Sequence, residues 1–202
     1  MDENEFGLIK PFYTTSELYR FNADSSNKNW IIYTNSSFKD PKSMKQFPNL
    51  KKHLDKFQSV ITSENKPYGL NRARDEKFFK GERIIVQRKC SQKPSFVYVS
   101  FDAYFNRTFI PIKTERIDLK YLSGLLNSRL VSFWLKYKGK MQGDNYQVDK
   151  DPILSIPLLK PENDTQKVIS NIVSEILQAR SNKLNADNLE KEIDLMVYKL
   201  YD

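Results

Sequence analysis

Residue types that carry out chemistry are scarce in this chain. There is one histidine, His53, and one cysteine, Cys90. His53 lies within Asn49–Phe57 with no cysteine near it, so the clustered ligands of a zinc site are missing. It reads as a surface histidine on an amphipathic helix. Cys90 follows Lys89, whose charge would favour a thiolate. A Cys-His nucleophile would have to recruit the lone histidine from another segment. Neither GxGxxG nor GxxxxGK[ST] occurs, so no loop for cradling a nucleotide is indicated.

Two further patterns have the outline of a catalytic site without its setting. Asp55, Glu64 and Lys66 follow the order D…E-x-K, in which two carboxylates hold a metal and a lysine assists water. That chemistry places E-x-K on a strand, whereas Asp55 falls on an expected helix and Glu64 in a polar stretch. Asn65-Lys66-Pro67-Tyr68 echoes the Asn-Pro-Pro-Tyr motif that holds and stacks a flipped adenine in adenine-N6 methyltransferases. Here Lys66 replaces the first proline, no apolar strand precedes it, and no glycine-rich S-adenosylmethionine loop is present. It reads as a loop, and no catalytic residue is assigned.

Binding chemistry is better represented. Lys66–Arg74 (KPYGLNRAR), Gln87–Lys93 (QRKCSQK) with Asn106-Arg107-Thr108, and Lys138–Gln147 (KGKMQGDNYQ) interleave cations, amides and aromatics. Arginine pairs bidentately with guanine, and asparagine or glutamine with adenine, in the major groove. Lysine and backbone amides suit phosphates. The same composition also describes an ordinary solvated basic surface.

Charge distribution favours a polyanionic partner. The 202 residues carry a formal net charge of +8. Residues 51–100 hold 12 Lys/Arg against 5 Asp/Glu, and residues 165–202 hold 5 against 6, so the excess sits in the middle of the chain and not in its tail. A hydrophobic content of 39% with 29% charged residues suits a folded chain. No apolar run approaches the roughly 20 residues that span a bilayer. The N-terminus lacks the features of a secretory signal, and a single cysteine fits a reducing, cytoplasmic setting.

The elements that must position these residues follow from hydrophobic period. Trp30–Thr34, Arg83–Arg88, Ser95–Phe101 and Phe109–Ile112 are short β-branched or aromatic runs with polar connections, which predicts a mainly antiparallel sheet. Helices are expected from Leu50 to about Ile61 and over Leu119–Tyr137. Residues 138–151 read as an exposed loop, and Ile153–Leu159 as an apolar segment bracketed by prolines. Beyond residue 160, Val168, Ile169, Ile172, Val173, Ile176 and Leu177 form the stripe of a helix capped by Asp164 or Thr165 and running to about Leu184. A break near Asn185–Asn188 precedes a second helix through Leu189, Ile193, Met196 and Leu200. The expected fold is α+β: an antiparallel sheet with packed helices over residues 1–160 and a C-terminal helical extension over 161–202. Trp30, Tyr33, Leu125, Leu126 and Trp134 are expected in the core.

Several of these pieces, in order, resemble the C-terminal specificity domain of the TaqI-like family of adenine-specific DNA methyltransferases and combined restriction–modification enzymes. They are Leu8–Phe12, Trp30–Thr34, Phe47–Leu54 (FPNLKKHL, against "YPNLKKHL"), Tyr68–Arg74 (aromatic-x-Leu-x-Arg-x-Arg), Arg83–Val86 (against "KIIV"), Leu119–Ser128 (against "LKYLLALLNS") and Ile156-Pro157-Leu158 (against "IPI"). The C-terminal Ile193–Tyr201 is also similar to the end of such proteins. The family often has Trp near Tyr68, and Pro where Ala73 stands.

The resemblance implies a target recognition domain for double-stranded DNA, without a catalytic centre of its own. It would face a methyltransferase domain across a cleft. That upstream domain would carry S-adenosylmethionine and the flipping pocket and, in combined enzymes, a magnesium-dependent nuclease. Arg72 and Arg74 are the first candidates for DNA contacts, followed by Asn71, Arg88, Lys89, Arg107, Lys140, Gln142 and Asn145. The rival expectation is a subunit-docking module whose C-terminal helices join partners and whose basic surface is incidental.

Overall fold

The computed structural model describes residues 3–202. It has an α+β fold with antiparallel sheets, and its residues divide into two compact units. One comprises the described residues up to Tyr13, Asn27–Lys80 and Asp102–Tyr104; the other comprises Thr14–Ser26, Gly81–Phe101 and Phe105–Asp202.

The first unit begins with α1 (Glu3–Phe6) and a two-stranded antiparallel ribbon, β1 (Ile9–Phe12) with β2 (Asn29–Ile32), in which Ile9 lies opposite Ile32 and Pro11 opposite Trp30. Two 3-10 turns follow, Ser36–Lys39 and Pro41–Met44, each started by a side-chain cap from Asn35 or Asp40. Helix α2 (Pro48–Asp55) starts with proline, which has no N–H to leave unsatisfied. Its N-cap residue, Phe47, has no polar group to offer. The buried Glu5 replaces it: its carboxylate accepts from the N–H groups of Asn49 and Leu50 at 2.7 and 3.1 Å. The negative charge also complements the helix N-terminus. Phe38, Met44, Leu50 and Tyr68 form the small core.

Two expectations need correction in this unit. Helix α2 stops at Asp55, and the apolar residues expected to extend it, Phe57 and Val60, stay exposed. Trp30 is not a core residue, with 64% of its surface exposed. It shares a strand face with Ile32 but lies further out along the ribbon, where the small core does not reach. Tyr33, by contrast, is buried against Phe79 and Tyr104.

The second unit is built on β3 (Arg83–Gln87), β4 (Lys89–Ser91), β5 (Phe96–Val99) and β6 (Phe109–Ile112). β3 is the centre of an antiparallel sheet, order β5-β3-β6. α3 (Leu119–Asn127) packs on this sheet through Leu119, Leu122 and Leu126. The expected continuous helix to Tyr137 is instead two. Ser128 takes an extended conformation, and its hydroxyl accepts from the Val131 N–H to start α4 (Arg129–Lys138). Trp134 is only partly buried there. β7 (Lys140–Gln142), β8 (Asn145–Gln147) and the short α5 (Lys150–Leu154) follow, then α6 (Asn163–Ser181) and α7 (Asp187–Tyr201). The break between the last two comes earlier than expected, with Lys183 in the left-handed region at φ 58°.

α6 and α7 cover the other side of α3. Tyr121 and Leu125 meet Ile169, Ile172, Val173, Ile176, Ile193 and Val197. Gly124 permits this close approach: a Cβ there would lie 2.9 Å from an Ile169 methyl and 3.1 Å from a Val173 methyl. The C-terminal helices thus belong to the second unit, and no boundary between the compact units falls at residue 160. No helix among the described residues is long and apolar enough to cross a membrane.

Candidate functional site

The segment expected as a loop, residues 138–151, holds a β-hairpin. β7 and β8 form a hairpin joined by Gly143-Asp144, with Gly143 in the left-handed region at φ 59°, as two-residue hairpin turns require. β4 completes a three-stranded antiparallel sheet on the other edge of β8. Its strands are three residues long, too short for their alternation to stand out among polar neighbours.

That alternation builds the site. Cys90, Tyr146 and Met141 lie in one rung and pack into the core beneath α3 and α4. The flanking rungs point the other way. One is Lys89–Gln147–Lys140 and the other Ser91–Asn145–Gln142. Four residues singled out from the sequence, Lys89, Lys140, Gln142 and Asn145, therefore share one outer face. Their side-chain polar groups have no hydrogen-bond or ion-pair partner among the described residues. Ser91 and Gln147 belong to the same face and were not singled out; the period of two in Lys-Cys-Ser and Asn-Tyr-Gln is the signal that marks them.

Beside this face, Lys89, Gln147, Gln87, Arg88 and Arg107 border a cleft of about 470 Å3. Arg107 is exposed at the tip of a turn that Asn106 stabilises by accepting from the Thr108 N–H at 2.9 Å and from its hydroxyl. Arg88 is committed to a local partner. Its guanidinium donates to Asp149 Oδ1, and its backbone joins Thr108 and Val148. Gln147 donates to the other Asp149 oxygen at 2.9 Å. The Arg88 hydrogen bond, and then that of Gln147, hold the Asp149 carboxyl below its ordinary range. Arg88 thus braces the cleft while Arg107 and Lys89 present open charge.

Asn71, Arg72 and Arg74 lie in the first unit, on a loop held by Ser63 Oγ to the Gly69 carbonyl, Asn65 to the Leu70 carbonyl and Thr34 Oγ1 to the Tyr68 carbonyl. Asn71 and Arg72 are exposed, Arg72 with φ 55°. Arg74 is half-buried, and its carbonyl accepts from the Tyr33 hydroxyl at 2.6 Å.

Asp55 and Tyr68, taken from the two catalytic look-alikes, are held together in a folding contact. Asp55 accepts from Tyr68 Oη at 2.6 Å and from Lys51 Nζ at 2.7 Å. Tyr68 is buried at 8% exposure, so its ring presents no stacking face. His53 is exposed and packs beside Phe57. Cys90 is buried, and desolvation pushes its thiol up to about 11, the opposite of an activated thiolate.

A sequence profile of the TaqI-like C-terminal specificity domain matches residues 10–158. The chain belongs to this family. Among curated relatives, the type II methyltransferases M.HincII and M.HindII, both from Haemophilus influenzae, are each 29% identical over 137 residues, which is 61% of this chain and 26% of theirs. Among solved structures, the type IIL restriction–modification enzyme MmeI, determined in complex with DNA, superposes with a TM-score of 0.70 at 13% identity, over 98% of this chain and 28% of its own. The type IIG restriction endonuclease BpuSI gives 0.55 at 14% identity, over 96% and 26%. The specificity domain thus spans about a quarter of the relatives it matches, and the structural likeness extends through α6 and α7, beyond the profile match.

Proposed function

We propose that this TaqI-like specificity domain reads double-stranded DNA through the outer face of β4-β8-β7 and the adjoining Arg107 turn. The carrying observation is the two-rung grid of ammonium, amide and hydroxyl groups, backed by a core and without internal partners at Lys89, Lys140, Gln142 and Asn145. A β-ribbon fits the major groove, roughly 12 Å wide, where Gln142 and Asn145 can pair with adenine edges and Arg107 with guanine. Lys89 and Lys140 supply charge for phosphates. The family match and the DNA complex of MmeI support this reading.

In this reading the domain directs an adenine-N6 methyltransferase domain to its site. S-adenosylmethionine, and magnesium where a nuclease is present, would be held by that partner domain. The chain's own residues do not suit S-adenosylmethionine, since they include no glycine-rich loop at a strand end. Selection from a randomised duplex pool, followed by titration at increasing salt, tests the proposal. A recovered site and a linear fall of log affinity with log salt are expected. Absence of duplex binding, or affinity indifferent to salt, overturns it in favour of a subunit-docking module.

A further inference from the structure

The first unit carries a second cationic surface of different composition. Residues 36–58 contain six lysines, two aspartates, and no arginine or glutamate. Both aspartates are engaged: Asp40 caps the turn at Lys42, and Asp55 is shared by Lys51 and Tyr68. Most amide side chains that could otherwise read bases are also consumed, with Gln46 staying exposed. Asn35 accepts from the Ser37 N–H at 2.9 Å, Asn49 donates to Glu5 at 2.7 Å, and Gln58 donates to the Pro67 carbonyl at 3.3 Å. The cations that remain outward are Lys39, Lys42, Lys45, Lys52 and Lys56, all exposed and without an ion pair among the described residues. They project from the two 3-10 turns, the link after them and α2, which pack around the small core of Phe38, Met44 and Leu50.

We infer that this lysine surface binds the DNA phosphate backbone without reading sequence. The inference rests on the proposed DNA-reading function and assigns the first unit a separate task within it. An ammonium on a flexible stem is a point charge with rotatable donors, suited to phosphates at variable positions, and it lacks the planar fork that recognises a base edge. Glu5 already neutralises the N-terminus of α2, so the attraction comes from side chains and not from the helix dipole.

The test uses the full chain and the triple variant Lys42→Gln/Lys52→Gln/Lys56→Gln. Affinity is measured for the selected duplex and for a scrambled duplex of the same length. Each phosphate no longer neutralised reduces the slope of log affinity against log salt by about 0.9. The variant is expected to lose roughly two to three slope units, with both duplexes weakened by the same factor and their ratio unchanged. The charge-preserving triple variant to arginine should keep the wild-type slope, which separates loss of charge from misfolding. An unchanged slope in the glutamine variant overturns the inference while leaving the DNA-reading proposal intact. A changed ratio at constant slope also overturns it, because the surface would then be reading bases. If the wild-type chain binds no duplex, the DNA-reading proposal fails and this inference falls with it.

Discussion

The outer face of the β4-β8-β7 sheet and the lysine surface around α2 are both cationic, but they treat most of their amides differently. On the sheet, Gln142 and Asn145 are left open to solvent. Around α2, Asn35, Asn49 and Gln58 are spent on turns, a helix start and a loop, and Gln46 is the one amide left open. Charge alone does not separate a surface that specifies from one that positions. The fate of the hydrogen-bonding groups beside the charge does, because base edges are told apart by donors and acceptors while phosphates are alike along the duplex.

The largest effect that would sharpen this contrast is on discrimination. Replacing Gln142 and Asn145 together by alanine should lower the preference for the selected site by about 1–3 kcal/mol per bidentate amide–adenine pair removed, while leaving the salt slope in place. Competition between the selected and scrambled duplexes measures it. A uniform loss of affinity for both would erase the distinction between the two surfaces.

A smaller effect probes how the lysine surface is held. Glu5→Ala strips α2 of the carboxylate that bonds its first N–H groups, and should cost about 1–2 kcal/mol, as for other deleted caps. Hydrogen exchange should quicken in α2 and stay unchanged in α3. Equal loss of protection in both helices would show that the units do not open separately.

The smallest effect concerns the brace behind the proposed reading face. The Asp149 carboxyl is depressed below its ordinary range by Arg88 and Gln147, so its contribution is present above the unfolded aspartate pKa of about 3.9 and is lost as pH falls through the lower folded value. Since Arg88 is substantially exposed, Asp149→Asn should cost only about 0.5–1 kcal/mol at neutral pH. Urea unfolding should show the gap to wild type closing as pH is lowered below the unfolded aspartate value of about 3.9. A gap that persists in acid would mean that Asp149 acts through packing and not through charge.

Much of the fold is legible from hydrophobic period. The strands Arg83–Gln87, Phe96–Val99 and Phe109–Ile112 and both C-terminal helices form where β-branched and aromatic runs or a helical stripe predict them. The Leu125-Leu126-Asn127-Ser128 run has a tertiary purpose that no local pattern reveals. Asn127 serves both the N–H and the C=O of Phe96 on β5, and Ser128 restarts the helix. Trp30 departs from expectation because residue type does not disclose how far a small core extends. The hairpin is hidden in the sequence because three-residue strands offer a single inward position each. Its polar residues are nevertheless visible as a segment, so composition locates the candidate surface without revealing its geometry.

The turn at Gly143 has a further consequence. A Cβ built there meets no atom within 4 Å, so the hairpin ends in open space. Its length is therefore a free variable that the core does not constrain. Adding two residues to each strand would preserve the inward and outward alternation and advance the tip by about 6.8 Å. That distance is close to two base-pair steps of about 3.4 Å. On the proposed reading the hairpin would serve as a ruler: its length would set how far along the groove the domain reaches, and the residues of its outer face what it reads there.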